Sequence, residues 1–188
     1  MVALSAFVVA AARRPEYDQV SDTISKLNAR GVDDWIWTAG LVAYAALMAL
    51  FAAGLRRRFG SSRPGRVIGQ ASGVHAALMV GVAVLRDDVR PGGFFTAEGA
   101  AHDVLSGMAF AALVAAMLGA AAVAKSDQAM RPFRATTLVL GSAMTTVGIA
   151  FLFTPPEVQG VPQRIFVVLA AFWIILLALR GIAPSGTE

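Results

Sequence analysis

Cysteine is absent from this chain of 188 residues, and histidine and tyrosine each occur only twice. The lack of cysteine excludes disulfides, thiolate metal sites, iron–sulfur ligation and cysteine nucleophiles. The sequence also lacks a phosphate-binding loop, a dinucleotide glycine pattern, a nucleophile elbow and a zincin motif, so no cofactor is predicted. Any chemistry must come from a small set of polar side chains.

Charged residues are scarce as well, at 15% of the chain against 57% hydrophobic residues. An ordinary globular protein has roughly half apolar and a quarter charged residues. The excess of apolar residues indicates that lipid is the solvent. The formal charge of +4 does not predict nucleic-acid binding, because the basic residues stand in short loops rather than in a patch with aromatic residues.

Five apolar stretches are long enough to cross a bilayer, which takes about 20 residues at a rise of 1.5 Å each. They are Trp35–Leu55, Val67–Leu85, His102–Ala124, Ala135–Phe153 and Ile165–Leu179. The first stretch of the chain, Met1–Ala12, covers only about 18 Å as a helix. Two arginines follow it instead of preceding it, which is unlike a signal peptide and favours a truncated helix or a true start further upstream. The sequence therefore predicts one domain over residues 1–188, an all-α polytopic bundle of about six transmembrane helices with a short first one.

The short loops predict how the bundle is oriented. Loops 56–66 and 125–134 are rich in arginine and lysine, whereas almost all of the acidic residues stand in the alternate loops. Basic loops face the cytoplasm in membrane proteins. Six crossings then place both termini in the cytoplasm, in a cell inner membrane, with the acidic loops outside.

The segment after the first helix, Pro15–Gly31, carries Val20, Ile24 and Leu27 at helical spacing. This pattern predicts a short amphipathic helix on the outer membrane surface. Asp22 has two interpretations within that helix. It is either a first-turn acid that favours the helix dipole or an acid placed over the mouth of the bundle.

Other polar residues stand where predicted spans begin. His102 and Ser106 are four residues apart, so an imidazole and a hydroxyl share one helix face near the outer surface. Ionisable groups at such positions are functional candidates, although His102 can also simply cap a helix end. Arg164 opens the last span and has two interpretations, as an ion-pair partner of Asp22 or Asp87 or as a ligand of a lipid phosphate.

The second histidine, His75, lies in the middle of its span, about 15 Å deeper than His102. The two histidines therefore do not share one ion in straight helices, and a zinc centre needs carboxylates from the outer loops as well. No metal site is predicted. We expect instead a hydrogen-bonded interhelical cluster of His75, Gln70 and Ser72.

These residues resemble a known family, the bacterial six-helix membrane proteins called domain of unknown function 998. The motifs that carry the resemblance are Tyr17-Asp18-Gln19-Val20-Ser21-Asp22-Thr23-Ile24-Ser25, Asp87 in an acidic loop, His102 opening a span and Gln163-Arg164 opening the last one. The resemblance covers nearly the whole chain. It implies a complete first helix and a shared extracytoplasmic site made by Asp22, Asp87, His102, Gln163 and Arg164. It implies no activity. A looser similarity in helix count and in serine, histidine and aspartate content links the chain to alkaline-ceramidase-like hydrolases, but the chain has too few histidines for their zinc site.

One function that fits is an outer polar pocket that binds a lipid or isoprenoid amphiphile, with or without acid/base chemistry on the bound molecule. Rearrangement of an isoprenoid and hydrolysis of an ester or amide both fit the groups present. In either reaction His102 is the general base, and Asp22 or Asp87 orients it or supplies the acid. The residues assigned to the substrate are Arg164, as the anion stabiliser, and Gln163, Ser106 and Tyr17.

The alternative function is a non-catalytic accessory or assembly subunit of a membrane complex, or a homo-oligomer. Helix faces rich in alanine and glycine suit lateral association. Alanine at His102 and Asp22 separates the two functions, because an assembly subunit keeps working and a pocket function is lost. A transporter fits less well, since the sequence has no inverted repeat and no pair of broken helices.

Overall fold

In the computed structural model, residues 2–29, 34–88 and 96–182 are described. Their regular structure is helical, and an isolated β-bridge joins Ala29 to Asp87. The α-helices in these ranges are α1 (Val2–Ala12), α2 (Trp35–Phe59), α3 (Arg63–Val84), α4 (Ala97–Val123), α5 (Phe133–Leu152) and α6 (Gly160–Ile182). Two 3₁₀ helices cover Ile24–Asn28 and Pro156–Val158. The predicted all-α helix bundle is confirmed.

The five helices α2 to α6 are long and apolar enough to cross a membrane. They contain the five predicted spans almost completely and extend most of them by a few residues. The outside of the bundle is apolar, since Leu50, Val139 and Leu179 are each more than half exposed. Such a continuous apolar exterior suits lipid and not water. The chain is a multi-pass membrane protein.

The starts of three helices are set by side-chain caps. Asp34 accepts hydrogen bonds from two backbone N–H groups in the first turn of α2. The hydroxyl of Ser62 accepts from one such group in α3, and the hydroxyl of Thr96 accepts from one in α4. The first N–H groups of a helix have no partner within it, and these oxygens satisfy one or two of them. Asp88, shortly after α3, also accepts from the N–H and the hydroxyl of Thr96, which holds the start of α4 close to the end of α3.

Consecutive helices pack side by side in chain order from α1 to α6. A large apolar core around Met117, Leu113 and Trp173 holds α2 to α6 together. A smaller core packs α1 and the 3₁₀ helix Ile24–Asn28 against α2 and α3. It lies where α3 ends and α2, α4 and α6 begin, which we call the His102 end of the bundle.

The segment between α1 and α2 differs from the predicted surface helix. Turns and the five-residue 3₁₀ helix Ile24–Asn28 replace a helix from Pro15 onward, and Gly31 lies outside the described residues. Ile24 and Leu27 are buried in the bundle while Val20 is exposed. The cause is local, because the Asp18 carboxylate accepts from the N–H groups of Val20 and Ser21 and holds a turn there. Residues 15–29 thus cross the His102 end, and we call them the strap.

Candidate functional site

Asn28 fastens the strap to the end of α3. Its amide Nδ2 points at the carbonyls of Val82, Ala83 and Leu85, at distances of 3.3, 3.2 and 3.0 Å. Its Oδ1 accepts from Thr38 Oγ1 of α2 at 3.1 Å. The last carbonyls of a helix have no partner within it, so the buried Asn28 amide takes that role. The sequence prediction did not include Asn28. Its position four residues after the apolar Ile24, where an apolar residue is expected, was a signal that it is buried and paired.

Arg164 fastens the strap to α6. Its Nε donates to Gln19 Oε1 at 3.0 Å, Nη1 to the Asp22 carbonyl at 2.9 Å and Nη2 to the Tyr17 hydroxyl at 2.7 Å. The guanidinium carbon also lies 5.5 Å from the ring centroids of Phe7 and Tyr17, within cation–π range. Arg164 is therefore a structural tie whose donors face the strap.

The carboxylate of Asp22 is used within the strap. It lies 2.5 Å from Lys26 Nζ and accepts from the N–H of Asp18 at 2.9 Å. Lys26 is four residues further on, and the turns of the strap bring its ammonium group to this carboxylate. Since Arg164 bonds to the carbonyl of Asp22 and not to its carboxylate, the predicted ion pair between them is wrong.

Asp87 follows α3 and is 8% exposed. Its backbone pairs with Ala29 of the strap, and its Oδ1 accepts from the N–H of Asp88 at 2.8 Å. Among the described residues the polar contacts of Arg164 go to the strap, so the predicted ion pair with Asp87 is wrong too. Asp87 joins the loop after α3 to the strap.

Tyr17 completes the contact between strap and α6. Its hydroxyl accepts from Arg164 and donates to the carbonyl of Thr23 at 3.1 Å. Burial raises the pKa of the Tyr17 phenol to about 12, although the positive charge of Arg164 opposes this rise. Tyr17 is therefore neutral at physiological pH and acts as a hydrogen-bonding group.

A cavity of about 160 Å³ lies beneath the strap and is lined by every α-helix except α5. The polar groups at its His102 end are Ser25, Trp37, His102, Ser106 and Gln163. Tyr44 and His75 line it further from that end, and the rest of the lining is apolar. Along α6 the lining runs from Gln163 to Ile175, which is about 18 Å of helix. The cavity is thus polar at one end and apolar along its length.

His102 is the buried ionisable group at that polar end, with 1% of its surface exposed. Nδ1 lies 2.8 Å from the Leu85 carbonyl and Nε2 lies 3.1 Å from Ser25 Oγ. A carbonyl only accepts, so Nδ1 carries the proton and the Nε2 of a neutral imidazole accepts from the Ser25 hydroxyl. The sequence prediction named His102 but missed Ser25, which lies 77 residues away in the chain.

Two more groups at the polar end matter for binding. Gln163 Oε1 accepts from the backbone N–H of Ile24 at 2.5 Å, which leaves the amide NH₂ as the remaining donor of that side chain. Trp37 is 7% exposed, and its buried indole Nε1 has no hydrogen-bond partner among the described residues. Buried donors are nearly always paired, so this one marks a place where an acceptor is missing from the protein itself.

Residues 1–180 match the family model described as protein of unknown function, DUF998. The chain belongs to the DUF998 family. No curated protein and no solved structure matches it. The resemblance inferred from the sequence is therefore confirmed as a family, and the family itself assigns no activity.

The structure of this DUF998 chain brings the predicted site residues to one end of the bundle, but not into one cavity. His102, Ser106 and Gln163 line the cavity. The others, which hold or form the strap and its neighbouring loop, are Asp22, Asp87, Tyr17 and Arg164. Sequence order alone did not separate these two groups, because both stand at the same helix ends.

The cluster predicted around His75 is wrong in its partners. Nε2 of His75 lies 2.9 Å from the Tyr44 hydroxyl of α2, and Nδ1 lies 2.9 Å from the Ala109 carbonyl of α4. Gln70 is exposed, and Ser72 Oγ is buried without a partner among the described residues. Within the described ranges no three His, Cys, Asp or Glu side chains come together in a group that could hold a metal ion.

Proposed function

We propose that this DUF998 protein binds a membrane amphiphile whose head lies beneath the strap and whose tail extends along α6 into the bilayer. The observation that supports this most directly is the cavity, with its polar groups gathered at the His102 end and an apolar lining below them. Ligand pockets are mostly apolar, with a few polar groups that fix the orientation of the ligand. A lipid or isoprenoid matches this distribution.

The polar groups favour an uncharged head with an acceptor oxygen. Two residues of the lining have hydrogen-bond donors that are not used by the described residues, namely the indole N–H of Trp37 and the amide NH₂ of Gln163. The lining contains no lysine or arginine among the described residues, and Arg164 is bound to the strap. A buried phosphate without a cationic partner is costly, whereas an ester or amide carbonyl needs only such donors. The head is therefore an ester or amide carbonyl.

The size of the cavity limits how much of the ligand it holds. About 160 Å³ is close to an apolar cavity of about 150 Å³ that accommodates benzene. Only the head and the first part of a tail fit in such a space. Both α1 and α6 line the cavity, yet α1 packs on α2 and α6 packs on α5. We place the route for the rest of the tail between the parts of α1 and α6 that line the cavity.

We also propose that the strap is on the extracytoplasmic side of the inner membrane. The arginine-rich loop between α2 and α3 and the basic loop between α4 and α5 lie at the opposite end of the bundle from the strap. Loops of this composition remain in the cytoplasm. The carbonyl head then lies near the outer surface of the membrane.

Native mass spectrometry of the detergent-purified chain tests the binding proposal. We expect wild type to retain a carbonyl-containing amphiphile and Trp37→Phe to retain about fivefold less, because the variant loses one hydrogen bond of about 1 kcal/mol. Trp35→Phe is the matched control, since Trp35 is 70% exposed and close in sequence. The proposal is contradicted if Trp37→Phe retains as much amphiphile as Trp35→Phe. It is also contradicted if wild type retains other polypeptides and no amphiphile. The second result favours an accessory subunit of a complex.

A further inference from the structure

Ser25, His102 and Leu85 form a chain of contacts that the binding proposal does not use. The serine hydroxyl donates to His102 Nε2 at 3.1 Å, and the protonated Nδ1 donates to the Leu85 carbonyl at 2.8 Å. Ser25 and His102 both line the cavity in which we place the ligand head. A hydroxyl, a base within hydrogen-bond reach and a third group that orients the base together make an activated nucleophile.

We propose that Ser25 is a nucleophile, activated by His102, that cleaves the ester or amide bond of an amphiphile bound in the cavity. This inference rests on the proposed function for the presence of a carbonyl head. Ser25 and His102 come from the strap and from α4, and the strap holds them together through its anchors at Asn28 and Arg164.

The reaction is a hydrolysis in two steps and involves no redox change. The Ser25 oxygen attacks the carbonyl carbon while its proton passes to His102 Nε2. The bond to the alcohol or amine then breaks, the leaving group takes that proton, and an acyl ester of Ser25 remains. Water then attacks the acyl carbon while His102 accepts a proton from it. The bond between the acyl carbon and the Ser25 oxygen breaks, His102 returns the proton to that oxygen, and the carboxylic acid leaves.

Trp37 lines the same cavity, and its indole N–H is buried and without a partner among the described residues. In this proposal a small rotation of the indole turns that N–H toward the carbonyl oxygen, where it stabilises the negative charge that develops. The Leu85 carbonyl fixes the tautomer of His102 as the aspartate of a catalytic triad does, but it carries no full negative charge. We therefore expect slow turnover compared with a complete triad.

A covalent probe tests the nucleophile without knowledge of the substrate. The purified full-length chain is treated with an alkyl fluorophosphonate, and the adduct is located by peptide mass spectrometry. We expect one adduct, on Ser25, and a labelling rate at least about 100-fold lower in His102→Gln, since a general base contributes this much or more. Ser21→Ala is the matched control in the strap and should label like wild type.

A second variant keeps the inference testable if His102→Gln fails to fold. The chain has no cysteine, so Ser25→Cys introduces a single thiol. A histidine partner lowers the pKa of a thiol and makes it more reactive. We expect Ser25→Cys to react with iodoacetamide at least tenfold faster than Ser21→Cys at neutral pH. Equal rates in the two variants, or labelling of Ser25 that persists in His102→Gln, overturn the inference.

The two proposals fail in different ways. If wild type retains a carbonyl amphiphile but Ser25 is not labelled, the nucleophile inference is refuted and the binding proposal stands. If Ser25 is labelled in a His102-dependent manner, the nucleophile is supported even when no amphiphile is retained, and Ser25→Ala should then accumulate the uncleaved molecule. If neither retention nor labelling occurs, both proposals are refuted.

Discussion

Removal of the Asn28 amide is expected to release one end of the strap. Asn28 is 4% exposed and points at three carbonyls at the end of α3. The substitution Asn28→Ala keeps the 3₁₀ helix possible but leaves those carbonyls, and Thr38 Oγ1, without this partner. The change therefore acts on the attachment of the strap rather than on the strap itself.

The magnitude follows from the burial of these groups. A buried acceptor that loses its partner costs about 1 to 3 kcal/mol. Val82 and Ala83 are buried, whereas Leu85 lies closer to the surface, so we estimate a total of about 3 kcal/mol. At 1.4 kcal/mol for each factor of ten, local opening of the strap becomes about 100-fold more frequent.

Hydrogen exchange of the detergent-solubilised protein measures this opening. The N–H of Asp34 donates to the Leu27 carbonyl at 3.1 Å, and we expect it to exchange about 100-fold faster in Asn28→Ala. The N–H of Gly160, bonded to Val20 at the α6 anchor, should change much less. The control is Lys26→Ala, which removes an ion pair within the strap and leaves the contacts of Asn28 with α3 in place. Exchange at Asp34 within twofold of wild type, or an equal increase throughout α5 and α6, refutes the reasoning.

Three further outcomes are expected. A Cβ on Gly160 would meet two strap carbonyls and a guanidinium nitrogen, so Gly160→Ala should speed exchange across the strap, while Gly54→Ala, where the space is open, should not. Since the pKa of Tyr17 is raised from 10.0 to about 12, the folded state holds a proton that the unfolded state loses, and thermal stability should fall between about pH 10 and 12 in wild type. Tyr17→Phe should lack this part of the fall, and identical pH profiles contradict the assignment. A membrane-impermeant maleimide applied to whole cells should label Gln19→Cys and spare Gln128→Cys, and the reverse pattern contradicts the proposed orientation.

The membrane-spanning part of the fold was predictable from sequence because span length is a physical requirement of the bilayer. The stretch Trp35–Leu55 appears within α2, which continues to Phe59 through a last turn that carries Arg56, Arg57 and Arg58. The basic residues there are favourable at the end of a helix. The length of the span and the position of the basic residues can both be read from the sequence without knowledge of the neighbouring helices.

The strap was not predictable in the same way. Val20, Ile24 and Leu27 have helical spacing, but the turn held by Asp18 competes with a helix and leaves Val20 exposed. The partner of His102 depends on how the strap crosses the bundle, and Ser25 is 77 residues away in the chain. Periodicity reports which residues share a helix face and contains no information on which loop side chains meet.

The strap is held to different helices on its two sides, and the contacts of Asn28 and of Arg164 can be removed separately. Asn28 joins it to α3 and α2, and Arg164 joins it to α6. Loss of the Asn28 contacts leaves the contacts to α6 in place, and the reverse also holds. We therefore expect substitutions at Asn28 to loosen the side of the cavity toward α3 and substitutions at Arg164 to loosen the side toward α6. Access of water to His102 and access of large molecules along α6 are then properties that mutation can change one at a time.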